Sequence, residues 1–214
     1  FFYVWYADKK DENVALDRFA FKGGPKEVVL SRTNVIRFSR NAPPTPYHMG
    51  GIVEFMKDGS LLIMSGDAER PELSQNKKDL NGKLLRIRPK PEGGYDVPAD
   101  NPHVGDPEWA PEIVAIGLRA PFRGSFDKKG RFYFGDVGSV YEEINLWDGK
   151  PCDFGWGRGA KDGKLTDGPT SPEDTVKPLV YWSQKEDLGA AEDPDYNGET
   201  RLSAAFGLVY EGFL

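Results

Sequence analysis

Cysteine occurs once in these 214 residues, at Cys152, so the chain cannot form an internal disulfide. That argues against a small disulfide-stapled scaffold, though not against an exported protein. Basic residues are too few for nucleic acid: the net charge is -6 and the pI near 5.1, and no basic stripe could displace counterions from phosphates. No apolar run approaches the roughly 20 residues a membrane span requires. No signal peptide precedes the first residue, and the chain opens on Phe1, as expected of a trimmed or processed sequence. A sustained helical period is also missing, which leaves helical bundles without support.

Aromatic residues are plentiful at 13%, with 25 glycines and 17 prolines. The aromatics fall in short alternating runs separated by turn residues, and this favours strands. Phe1 to Ala7 and Val14 to Phe21 read as an antiparallel pair. Lys26 to Ser31 is short and is expected to be a third strand. The three prolines between Asn41 and Pro46 cannot join a sheet ladder. A hairpin follows: Ile52 to Phe55, the turn Met56-Lys-Asp-Gly59, then Ser60 to Ser65, ending in Gly66-Asp67. The same grammar returns as Gly124 to Phe126, Asp127-Lys-Lys-Gly130, Arg131 to Phe134 and Gly135-Asp136. Repeated hairpins in a Gly-rich chain point to an all-β fold. A β-propeller and a β-sandwich or barrel fit the periodicity about equally.

The remaining strands are expected at Leu80 to Arg88, Ile144 to Trp147, Leu179 to Trp182 and Phe206 to Gly212. Glu72 to Lys78 and the acidic stretch Lys185 to Arg201 read as loops. Asp67 and Asp136 end equivalent strands and read as turn-formers. Phe154, Trp156 and Trp147 read as core, and His103 as a surface residue. Glu142 and Glu143 open a strand, so alternation turns only one of them inward, with Ile144 on the Glu142 side. A Gly-Leu-Arg segment at Arg119, a Gly-rich turn and paired acids, all at strand ends, suggest a site for an anionic group and a hard cation together.

Several phrases resemble, in order, the PQQ-dependent glucose/sorbosone dehydrogenase family. They are His48-Met-Gly-Gly51, Lys57-Asp-Gly59, Gly66-Asp67, Asn81 to Ile87, Asp100-Asn-Pro102, Glu112 to Pro121, Gly135-Asp-Val-Gly138, Glu142-Glu-Ile-Asn145 and Phe154-Gly-Trp156. The resemblance implies a six-bladed β-propeller. At about 40–50 residues per blade, residues 1–214 form one domain covering only part of the ring. It also implies PQQ and calcium as cofactors, a sugar or polyol as substrate, and a periplasmic or secreted location.

By the same resemblance, His48 is the general base that takes the substrate's alcohol proton, a task suited to a group that titrates near neutrality. Arg119 would lie against the quinone oxygens of PQQ. The Val137-Gly138 turn would hold calcium through its carbonyls, and Glu143 with the backbone near Phe154 a second calcium. One position departs from the pattern: Ala120 stands where the family phrase usually carries Asn. Two readings follow, a calcium- and PQQ-dependent sugar dehydrogenase, or an inactive calcium-binding propeller that binds protein or carbohydrate. His48 favours the first and Ala120 the second.

Overall fold

The computed structural model describes residues 1–8, 10–40, 47–164, 166–183, 207 and 209. The expected proline-rich loop at 41–46, the acidic loop at 185–201 and most of the expected strand at 206–212 lie outside the described residues.

Three sheets follow one another along the chain. The first holds β1 (Phe2–Ala7), β2 (Val14–Phe19) and β3 (Thr33–Phe38) in that order, all antiparallel. Lys26 to Ser31 does not provide its third strand. Pro25–Leu30 is a helix, α1, with none of its residues buried. Pro25 in the first turn presets a helical φ and Glu27 complements the positive end of the helix. Thr33–Phe38, with its β-branched alternation, takes the ladder instead.

The second sheet begins with the hairpin β4 (Gly50–Phe55) and β5 (Leu61–Ser65), closed by the expected Asp-Gly turn. It continues through β6 (Lys83–Pro89), with the short β7 (Tyr95–Asp96) paired beside it, to β8 (Ile113–Ile116). The third sheet contains β9 (Pro121–Phe126), β10 (Phe132–Asp136) and β11 (Tyr141–Trp147). The two-residue β12 (Cys152–Asp153) then returns to lie parallel against β8 of the second sheet, and β13 (Val180–Ser183) closes the third against β11. Pro71–Gln75, expected as loop, is a short 3-10 turn.

β5 is buried along its whole length, which is why Leu-Leu-Ile-Met does not alternate with polar residues. One apolar cluster joins the second sheet to the third through Leu62, Met64, Leu84, Phe132, Phe134 and Phe154. Another joins the first sheet to the second through Leu16, Ile36, Ile63, Leu85 and Ile113. β4 and β9, edge strands of the second and third sheets, lie side by side. The architecture is that of successive propeller blades, an open part of a ring. The equivalent ends of β5 and β10 carry Asp67 and Asp136.

Candidate active site

His48 is held just before β4 with φ +52, in the left-handed region that side chains other than glycine rarely adopt. Its Nδ1 lies 2.7 Å from Oδ1 of Asp67, a carboxylate with no solvent exposure. A carboxylate only accepts, so Nδ1 carries the proton of this bond and Nε2 keeps the lone pair of the neutral imidazole. Asp67 is not a plain turn-former. Besides orienting His48, it accepts 2.7 Å from the Trp156 indole N–H at Oδ2 and 2.9 Å from the Glu69 amide at Oδ1. The histidine loop and the end of β5 can approach this closely only because residue 66 is glycine. A Cβ there would lie 2.0 Å from the His48 carbonyl oxygen.

Arg119 follows β8. Its carbonyl accepts the Asp67 amide at 2.7 Å, so the histidine side and the arginine side share one backbone bond. The guanidinium donates from Nη1 to the Val137 carbonyl at 2.7 Å and lies 5.4 Å over the Trp156 ring. Its Nε is buried and, among the described residues, meets no acceptor. Trp156 therefore does more than fill the core: its N–H serves Asp67 and its face serves Arg119.

Asp136, the second supposed turn-former, accepts the backbone N–H groups of Arg119 at 3.0 Å and Ala120 at 2.7 Å. Burial, reinforced by the neighbouring charge of Glu143, pushes its carboxyl up to about 8. Glu143 stands opposite Asp136 in the β10–β11 register, and burial raises its carboxyl too. The acidic pair Glu142 and Glu143 is not a solvated turn, and alternation does not expose one member: both are buried on β11, while Ile144 is only half-buried. Glu143 accepts from the Gly168 amide and, at 2.9 Å, from the Asn145 side chain, whose Oδ1 is buried without a partner among the described residues.

A cavity of about 10 Å³ opens between Arg119, Asp136, Gly138, Glu143, Phe154, Trp156 and Asp167. That is room for about one water-sized body. Gly138 makes the tight turn beside it, since a Cβ would meet the Tyr141 carbonyl at 1.6 Å. Oδ2 of Asp167 accepts the amides of Ser139, Val140 and Tyr141 and so holds the turn together.

All six residues singled out from the sequence thus fall in one region: His48, Arg119, Val137, Gly138, Glu143 and Phe154. Phe154 contributes ring packing, edge-on to Phe134 at 5.2 Å, and lines the cavity. His103 lies elsewhere, stacked flat on Trp109 at 3.7 Å and half-buried. Sequence reasoning missed Asp67, Asp136 and Trp156 as members of the site. The available signal was the repeat itself, which ends both hairpins in Gly-Asp.

The residues fit the two groups expected of them. The buried carboxyls of Asp136 and Glu143 line the cavity, and the Asn145 Oδ1 beside Glu143 is buried without a partner among the described residues; hard oxygens of this kind suit calcium. The orphaned Arg119 Nε suits an anionic or quinone oxygen. Among the described residues no three His, Cys, Asp or Glu side chains cluster as metal ligands.

A family model described as Glucose / Sorbosone dehydrogenase matches residues 1–200. The HIPL1 protein of Arabidopsis thaliana is 40% identical over 138 residues, covering 56% of this chain and 20% of its own length. Hedgehog-interacting protein of Homo sapiens is 32% identical over 88 residues, covering 38% of this chain and 13% of its own. Among solved structures, the PQQ-bound form of aldose sugar dehydrogenase from Streptomyces coelicolor superposes with a TM-score of 0.66 at 23% identity, covering 86% of this chain and 49% of that one. The chain therefore spans about half of this solved structure and a fifth or less of these curated relatives.

Proposed function

The chain belongs to the glucose/sorbosone dehydrogenase family, and from that premise we propose that it oxidises a sugar or polyol alcohol with PQQ and calcium. The observation that carries this reading is the buried Asp67 bonded to Nδ1 of His48 at 2.7 Å. It sets Nε2 as a base and stabilises the imidazolium once Nε2 has taken the alcohol proton. PQQ, when bound, would supply the acceptor for the hydride that leaves the same carbon, so that the alcohol becomes a carbonyl compound, its hydroxyl proton goes to His48 and its carbon-bound hydrogen leaves with two electrons.

Arg119 would place a fixed positive charge against the cofactor, using the Nε that meets no acceptor among the described residues. Its hold on the Val137 carbonyl and on Trp156 fixes the guanidinium before any ligand arrives. One calcium would be held by carbonyls of the Val137–Gly138 turn, and a second by Glu143 with the backbone near Phe154, where the Asn145 side chain lies against Glu143. The Val137 oxygen has a second lone pair for this purpose beside its bond to Arg119. We place the protein in the periplasm or outside the cell by the same family premise.

A second reading has its own observation. Ala120 offers only a methyl group where the family phrase usually has Asn, and its amide is already held by Asp136. In that reading the propeller keeps calcium but not PQQ and binds a protein or carbohydrate; one relative is named for an interaction, Hedgehog-interacting protein. Reconstitution of the full-length protein with PQQ and calcium separates the two. The dehydrogenase shows a bound-quinone absorbance and reduces a dye with an aldose, and the His48→Gln variant keeps the absorbance but loses turnover. A folded, calcium-loaded protein with no quinone absorbance leaves the binding module.

A further inference from the structure

The backbone that carries His48 is gripped at three successive carbonyls. The Tyr47 oxygen accepts from Nη2 of Arg40 at 2.7 Å, the His48 oxygen from the Ala68 amide at 3.2 Å, and the Met49 oxygen from the Trp5 indole at 3.0 Å. The residue in the middle is the one with φ +52. A left-handed backbone at a residue other than glycine persists only where its surroundings over-determine it. These three donors are such surroundings. Ala68 sits in the turn that also carries Asp67, with φ +57 of its own. Arg40 and Trp5 come from the side of the first sheet: Trp5 from β1, Arg40 from the segment after β3.

Both are built into place. Arg40 is only 4% exposed, an unusual burial for a guanidinium. Trp5 packs its ring against Phe38 at 5.9 Å, and its edge covers Gly51, where an added Cβ would lie 3.7 Å away. Each side chain meets the histidine segment at a backbone carbonyl, one residue to either side of His48.

We propose that Trp5 and Arg40 are positioning residues for His48. They hold Tyr47 to Met49 in the one backbone conformation that aims Nδ1 at Asp67, so the first sheet shapes the site without contributing a reacting group to it. Because the segment is fixed at both flanking carbonyls, loss of either donor lets the peptide planes on that side rotate and the imidazole swing off the carboxylate. The inference rests on the reading of His48 as the base, yet its first readout does not depend on catalysis.

The experiment uses the full-length protein with Trp5→Phe, which keeps an aromatic ring and removes the N–H, and Arg40→Met, with Arg40→Lys as the conservative partner. In ¹⁵N-histidine spectra the Nδ1–H resonance of His48, identified by its loss in His48→Gln, should move or broaden in Trp5→Phe and Arg40→Met and return in part in Arg40→Lys. Thermal melts by circular dichroism confirm that each variant is folded, and Trp5→Phe decides the matter alone should Arg40→Met fail to fold. With PQQ and calcium supplied, kcat should fall about tenfold with KM nearly unchanged, the signature of a displaced base and not of lost substrate binding. An unaltered Nδ1–H resonance in folded variants overturns the proposal. A parent protein that shows the Nδ1–H shifts but no turnover overturns the dehydrogenase reading instead and leaves the positioning role standing.

Discussion

Replacing Trp156 with Phe tests the core of the site most directly. The substitution keeps an aromatic ring beneath Arg119 and deletes one donor to Asp67, which has no solvent exposure. Removing a hydrogen bond to a buried charge costs about 1.5–3 kcal/mol, because water cannot replace the missing donor. The remaining partners, His48 Nδ1 and the Glu69 amide, both occupy Oδ1, so Oδ2 is left with no other donor among the described residues. The cost should therefore sit near 2 kcal/mol, or about 4–8 °C in melting temperature for a domain of this size. Loss of the indole's extra area adds to that, so the clean quantity is a coupling. In a double-mutant cycle with Asp67→Asn, followed by urea unfolding of the full-length protein, Trp156→Phe should cost about 1 kcal/mol less once the acceptor is a neutral amide oxygen. A coupling below about 0.5 kcal/mol would show that the indole N–H does not serve the carboxylate, and the reasoning from Trp156 to His48 would fail with it.

Three further outcomes are expected. Calcium should raise the melting temperature of the parent protein, and Glu143→Gln should remove most of that rise in calorimetry; an equal rise in both places the cation elsewhere. Protons compete for the Glu143 carboxyl, whose proton affinity burial raises, so the calcium effect should weaken as pH falls, which melting curves with and without calcium across pH would show. Lys83 is fully buried, with Nζ on the carbonyls of Leu73 at 2.6 Å and Asn81 at 2.7 Å, and burial lowers its ammonium to about 7. Between about 7 and the ordinary lysine value of roughly 10.4 the unfolded chain binds the extra proton, so this group makes stability rise with pH across that window and leaves it flat below. The difference between parent and Lys83→Met melting curves from pH 6 to 10 should show that rise, and a pH-independent difference would refute it. Gly66→Ala should destabilise by about 1–3 kcal/mol or displace the histidine loop, since its Cβ would enter the His48 carbonyl; a wild-type melting temperature with an intact His48 resonance would contradict the geometry.

Much of this molecule was legible in its residues. Asp-Gly and Lys-Gly turns between short apolar runs marked both hairpins, because turn chemistry is a local property of the chain. The ordered phrases from His48 to Trp156 marked the residue types that later proved to be neighbours. The misreadings were of two kinds. Pro25–Leu30 is six residues long, too short for periodicity to separate helix from strand, and the strand edge it might have joined was taken by Thr33–Phe38. Glu142 and Glu143 were misjudged because alternation along β11 describes two faces of an isolated sheet, whereas β11 meets the Asp167 turn on one face and apolar core on the other.

What the sequence alone determined was the all-β class, the two hairpins and their turns, and the presence of a histidine, an arginine and acids at strand ends. What tertiary structure decided was who partners whom. The indole of Trp156 reaches Asp67 across 89 positions, and Trp5 reaches the Met49 carbonyl across 44. No local pattern encodes such pairs, because they arise only when packed sheets bring distant strand ends together and exclude water. That exclusion then makes each remaining hydrogen bond to a buried carboxylate decisive for the conformation of His48.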